Sequence, residues 1–231
     1  MTIQKIILII LILLKVQILY SNEEICILET RYNLKTNEKK TKIQCPNELL
    51  KQKFSSGSLF KIFLTASGYY YRLFSPLEKE SIKEKLKNSE NPYFIRLLNK
   101  IQKEKFLLFL NTNLTKYLNR KILIQDFTDD FSFLYGGKLT FYPIEIHNWF
   151  LLLLQEERDY MNLTLESLKR EENGIQFYGK SGTWSGAAWF CGILIEEQEK
   201  KVISVLVPYK KNHWQPAKEK AYQQFLNLIK N

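Results

Sequence analysis

The chain is predicted to be an α+β domain, with an antiparallel sheet formed by both chain ends and a helical lobe between. Two strand-like runs joined by a polar turn lie near the start, and more strand-like runs cluster towards the end. Between them lie several segments with helix caps and helical apolar spacing. Sequences that place strands at both ends and helices in the middle close one sheet and stack the helices on it.

The elements follow in order. Residues 25–34 and Thr41 to Cys45 are rich in β-formers, and Lys35 to Lys40 supplies the turn of a hairpin. In that hairpin Cys26 and Cys45 fall about opposite each other, either as a disulfide or as two buried thiols. Cys191 sits in an apolar stretch and reads as a core residue. A helix starts at Ser58 and runs to about Gly68. Ser75-Pro76-Leu77-Glu78 opens the next, with a cap serine, proline in the first turn and glutamate at the third position. That helix stops at Asn88, and Pro92 opens another through Leu98. Ser89 and Asn91 then lie on a tight connection, where Asn91 could equally serve as a cap. Residues 105–119 form a further helix, and Tyr135-Gly136-Gly137 a turn. Pro143 begins a strongly apolar helix to Leu154, and residues 159–170 a polar one. Ile175 to Lys180 is a strand running into Ser181-Gly182-Thr183, and Trp184-Ser185-Gly186 is a turn. Ala187 to Glu196 and Lys201 to Pro208 make a hairpin. Ala217, Ala221, Phe225 and Leu228 mark a closing amphipathic helix.

Residues 1–21 read as a signal peptide or N-terminal anchor: Lys5, then an apolar run from Ile6 to Leu14, then Tyr20-Ser21. Lys15 interrupts the run, which argues against a full membrane span. The protein is therefore expected to be exported, periplasmic or envelope-associated, with possible membrane association through that segment. Residues 22–231 form the working domain. A hydrophobic content of 45% with 14% aromatics is that of a folded chain. The formal charge of +10 suits work near an acidic polymer or an anionic membrane surface, though a general lysine bias explains it as well. No helix-turn-helix or aromatic RNA-binding signature occurs, so nucleic-acid binding is not expected. No Cys or His spacing resembles a metal site, and no cofactor is expected.

Ser58-Leu59-Phe60-Lys61 carries the chemistry. A three-residue spacing places both polar side chains on one helix face. A helix N-terminus favours developing negative charge, and a neutral lysine can deprotonate a neighbouring serine for attack on a carbonyl. An apolar surround would lower the lysine pKa enough to allow this. In a lysine-rich chain, however, Ser-x-x-Lys arises by chance, so its weight depends on partners elsewhere. Another motif fails that test. Gly174 to Ser181 matches G-x-x-x-x-G-K-[ST], but its variable positions are bulky strand formers and a turn and strand follow, not a helix.

Three pieces stand in order: Ser58-x-x-Lys61, Ser89-x-Asn91 and Lys180-Ser181-Gly182-Thr183. This set resembles that of the penicillin-recognising serine enzymes, the penicillin-binding transpeptidases and class D β-lactamases. Gly57-Ser58-Leu59-Phe60-Lys61, Asn91-Pro92-Tyr93-Phe94, the Gly136-Gly137 turn and Ala188 to Gly192 are similar to the corresponding family segments. The resemblance spans essentially residues 22–231 and implies a β-lactamase/transpeptidase-like fold. It implies Ser58 as nucleophile, Lys61 as base and Ser89 as proton relay. It implies Asn91 as orienter of Lys61 and of the substrate amide. Lys180, Ser181, Gly182 and Thr183 would bind the substrate, Lys180, Ser181 and Thr183 through its carboxylate. The backbone N–H groups of Ser58 and Thr183 would form the oxyanion hole. The implied partners are a peptidoglycan stem peptide or a β-lactam. The implied activity is D,D-transpeptidase or carboxypeptidase, with a class D-like β-lactamase or a non-catalytic β-lactam sensor as alternatives. Two features depart from the pattern. The 28 positions from Lys61 to Ser89 are fewer than is usual. Class D enzymes usually carry valine where this chain has Asn91, around a lysine that is carboxylated to drive deacylation. No glutamate stands out for activating a deacylating water.

Overall fold

The computed structural model describes residues 24–118, 121–155, 158–210 and 212–230. The proposed signal segment lies outside them. Six antiparallel strands form one sheet: β1 (Cys26–Asn33), β2 (Lys39–Gln44), β3 (Lys169–Glu172), β4 (Ile175–Trp184), β5 (Ala187–Ile195) and β6 (Glu199–Pro208), in the order β2-β1-β6-β5-β4-β3. The two ends of the domain meet where β1 pairs with β6 from Cys26↔Leu206 to Asn33↔Glu199. The sheet is thus an antiparallel one formed by both chain ends, with the helical lobe inserted between β2 and β3 and one further helix after β6.

The centre of the sheet is covered on both faces, which explains its near-continuous apolar strands. Eight of the nine residues of β5, and Val202 to Val207 of β6, are buried. One face carries the C-terminal helix α9 (Trp214–Ile229), which packs Ala217, Ala221, Phe225 and Leu226 against Phe177, Phe190 and Val205. The other carries the helical lobe: α1 (Asn47–Leu50), α2 (Lys61–Tyr70), α3 (Pro76–Asn88), α4 (Asn91–Ile101), α5 (Lys103–Leu118), α6 (Ser132–Tyr135), α7 (Pro143–Gln155) and α8 (Asp159–Ser167). Trp149 of α7 packs edge-on against Phe63 of α2 and against Phe141. Buried His147 fastens α7 to the sheet, lying 2.9 Å from Thr30 Oγ1 of β1 and 3.0 Å from Ser204 Oγ of β6.

Local signals were realised where they are strongest. Ser75 and Glu78 form the full capping box of α3: Glu78 N–H donates to Ser75 Oγ at 3.3 Å and Ser75 N–H to Glu78 Oε2 at 2.8 Å. Cys26 and Cys45 are disulfide-bonded, which decides between the two readings of that pair. Four expectations are corrected. Ser58 lies in a 3-10 turn, Gly57–Phe60, and the α-helix begins only at Lys61. The polar helix ends at Ser167, and Lys169–Glu172 becomes β3, drawn into strand geometry by pairing with β4. Trp184 is the last strand residue, paired with Ala187, so the turn is Ser185-Gly186 alone. Asn91 is the first residue of α4 after Glu90, and its side chain makes no cap. From Ile175 onward the phosphate-loop pattern is strand β4, with no helix after it.

Candidate active site

The serine turn is held on three sides. Phe54 and Phe141 exchange two backbone hydrogen bonds of 2.8 Å, anchoring its start. The Trp189 indole N–H donates to the Ser55 carbonyl at 2.8 Å, tying it to the sheet centre. Gly57 has φ +54°, and a Cβ there would lie 2.6 Å from the Thr183 backbone nitrogen. Gly182 shows the same closeness from the other side, where a Cβ would meet the Ser56 carbonyl oxygen at 2.3 Å. Two glycines therefore let β4 press its backbone onto the turn carrying Ser58, and Thr183 becomes its neighbour.

One turn on, Lys61 is fully buried. Its Nζ donates to Asn91 Oδ1 at 2.6 Å and to the Ser89 carbonyl at 3.0 Å, and lies 3.4 Å from Ser58 Oγ. The Phe94 and Tyr135 rings flank it at 5.5 and 5.2 Å. No described carboxylate is paired with it, and burial lowers its pKa to about 7. A neutral amine keeps two N–H donors and one lone pair. In that form the Asn91 and Ser89 oxygens would use both donors, and the lone pair would be free for the Ser58 hydroxyl 3.4 Å away. The site can therefore remove the serine proton near neutral pH.

Ser89 arrives from the end of α3 with φ 54°, a left-handed residue that reverses the chain between α3 and α4. This reversal brings its hydroxyl to Lys180, despite the short interval. Lys180 is fully buried, and its Nζ donates to Ser89 Oγ at 2.5 Å and to the Ser181 carbonyl at 2.8 Å. Burial holds its pKa well below the ordinary lysine value, and the charges of Lys61, Arg170 and Lys218 push the same way. A substrate carboxylate would restore its charge, since a buried ammonium gains most from a counter-ion.

Ser58, Ser89, Ser181 and Thr183 line one cleft of about 940 Å³, with Tyr135, Trp184, Tyr209, Trp214 and Lys218. The Thr183 hydroxyl is buried and has no hydrogen-bond partner, as expected of a group that awaits a ligand. Strand β3 pairs only as far as Tyr178, so Lys180 to Trp184 have β5 on one side and no described strand on the other. That free edge can accept an extended substrate. No Asp or Glu is among the described residues that line the cleft. No group of His, Cys, Asp or Glu suited to a metal occurs among the described residues.

All eight residues singled out from sequence thus converge on this cleft or on the contacts behind it. Two that were not singled out join them. The Tyr135 hydroxyl accepts a hydrogen bond from Asn91 Nδ2 at 2.7 Å, and the Tyr135 ring lies parallel on that of Trp184, centroids 4.6 Å apart. Asn91 was expected to orient the substrate amide; one of its two amide hydrogens is already used on Tyr135. The signals were present, a tyrosine before a glycine pair and a tryptophan after the Lys-Ser-Gly-Thr run, but a turn reading accounted for both.

The fold is that of the penicillin-recognising serine enzymes. Among solved structures, the chain is similar to a class D β-lactamase, the BSU-2 delta mutant, at TM-score 0.66 and 18% identity, covering 88% of this chain and 90% of that one. It is similar to FUS-1 (OXA-85), a class D β-lactamase from Fusobacterium nucleatum subsp. polymorphum, at TM-score 0.63 and 17% identity, covering 89% and 93%. It is also similar to the C-terminal domain of the Bacillus licheniformis BlaR penicillin-receptor, at TM-score 0.61 and 17% identity, covering 87% and 89%. No family model and no curated protein matches the sequence.

Proposed function

We propose that this protein is a serine acyltransferase of the D,D-transpeptidase or carboxypeptidase type, exported to the cell envelope. It acts on peptidoglycan stem peptides and is acylated by β-lactams at Ser58. The observation that carries the reading is the buried Lys61 amine, hydrogen-bonded to Asn91 Oδ1 and the Ser89 carbonyl and 3.4 Å from Ser58 Oγ.

Acylation runs as follows. Ser58 Oγ gives its proton to Lys61 Nζ and bonds to the substrate carbonyl carbon. The oxyanion that forms is met by the backbone N–H groups of Ser58 and Thr183. The carbonyl C–N bond then breaks. The Ser89 hydroxyl delivers a proton to the leaving nitrogen and is refilled from the Lys180 ammonium hydrogen-bonded to it. Ser181 and Thr183 hold the substrate carboxylate beside Lys180.

Deacylation is expected to be slow. No described carboxylate lines the cleft to activate water. Carboxylation of Lys61 would need a dry pocket in which the neutral amine meets carbon dioxide, and Asn91 Oδ1 already holds that amine at 2.6 Å. The alternative reading, a class D-like β-lactamase or a non-catalytic β-lactam sensor, draws support from neighbours of both kinds.

Fluorescent penicillin followed over time separates the readings. A stable label at Ser58, lost in Ser58→Ala and indifferent to bicarbonate, is the expected result. Asn91→Val should make release faster and bicarbonate-dependent. Rapid release from the wild type, accelerated by bicarbonate, means a β-lactamase. A stable label without transfer or hydrolysis of an acyl-D-alanyl-D-alanine peptide means a sensor.

A further inference from the structure

The carboxylate anchors and the free strand edge account for the polar side of the cleft, but not for its aromatic side. Tyr135 ends α6 in the helical lobe, before Gly136 and Gly137 at φ +88° and +58°. Trp184 ends β4, before Ser185 and Gly186 at φ 45° and 85°, whose tight turn fixes its place. The two rings lie 6° from parallel with centroids 4.6 Å apart, so the pair joins the two lobes that wall the cleft. Tyr135 covers one face of the indole, yet Trp184 remains 48% exposed beside Ser58, and Trp214 is 45% exposed in the same cleft. Large aromatic faces left in water within a built cleft are an unused binding surface. The ligand part that would cover them is apolar and planar.

Resting on the acyl-enzyme reading above, we propose that Trp184, braced by Tyr135, is a specificity-determining residue that stacks on a flat apolar group carried on the acyl side of the substrate. Lys180, Ser181 and Thr183 occupy the carboxylate end of a bound substrate, which directs the aromatic surface to its acyl substituent. The brace also reaches the catalytic base, since Tyr135 holds Asn91 and Asn91 holds Lys61. A substituent seated on Trp184 therefore presses on the same chain of contacts that positions the amine.

The test compares acylation efficiency, rate constant over dissociation constant, for benzylpenicillin and for 6-aminopenicillanic acid, which lacks the aryl acyl group. Wild type should prefer benzylpenicillin, and in Trp184→Ala that preference ratio should fall about tenfold, the scale of one lost aromatic stack with its covered area. Trp184→Phe should restore most of the ratio. Tyr135→Phe, which keeps the ring and loses the hydroxyl, should slow both reagents and leave the ratio near wild type. A ratio in Trp184→Ala within twofold of wild type, or a wild type with no preference, overturns the inference and leaves the acyl-enzyme reading standing. Failure of both reagents to acylate the wild type overturns both.

Discussion

Lys61 shows how burial alone brings a lysine pKa down to about 7, where the amine becomes available as the proposed base. It has no carboxylate partner among the described residues, and three oxygens and two rings surround its amine. Its pKa of about 7 means that the proton-accepting form disappears as pH falls through 7. The acylation rate by benzylpenicillin should accordingly rise with pH through about 7 and level off above it. Lys61→Ala should lower the rate by a factor on the order of 10³ and remove that inflection. Stopped-flow acylation from pH 5.5 to 9 measures both; a flat profile in the wild type would exclude Lys61 as the base. Cys191 illustrates the opposite outcome of burial. Its thiol is pushed up to about 12 and stays an inert core group.

Among the elements, α7 joins the lobe to the sheet through a polar contact inside an apolar interface. His147 is fully buried between Thr30 and Ser204, and burial lowers its pKa to about 4. The unfolded chain takes up a proton near pH 6.5, whereas the folded protein resists it until about 4. The unfolded state therefore binds more protons in that window, and stability falls as pH drops through it. From pH 7 to 5 the loss assignable to this residue is about 2 kcal/mol. Urea unfolding at the two pH values should show that His147→Gln loses correspondingly less than wild type. Equal losses in the two proteins would remove His147 from the acid response.

At the scale of the whole molecule, the disulfide secures an exposed edge of the sheet. Every residue of β2 is exposed, and it is held by its ladder to β1, by a Thr30–Thr41 hydroxyl contact of 3.0 Å and by the Cys26–Cys45 bond next to it. A link across 19 positions removes about 3 kcal/mol of loop entropy from the unfolded chain. The Cys26→Ser/Cys45→Ser protein should lose about that much stability. Its β2 amides should exchange faster while those of β5 change little. Unfolding titrations and hydrogen exchange check this, and an unchanged protein would assign the link no stabilising role. Such a bond also fits the proposed export, since disulfides persist where the surroundings are oxidising.

Much of this was legible in residue order, because the signals are local. The capping box of α3, the polar turn between β1 and β2, the apolar runs of β5 and β6 and the spacing within α9 depend on neighbours a few positions apart. The three motifs were legible for the same reason: each is short, and their joint order is rarer than any one. What tertiary structure alone decided is non-local. Residues 169–172 became a strand only because β4 lay alongside, and Ser58 settled in a 3-10 turn because Gly57 and Gly182 draw the sheet against it. The Tyr135–Trp184 stack joins residues from different lobes, and the Lys61 pKa depends on what encloses it. Sequence by itself determined which groups the chain owns and roughly where most of its elements lie. Packing determined which of those groups are dry, and a dry amine facing a serine is what the proposed chemistry requires of the motif.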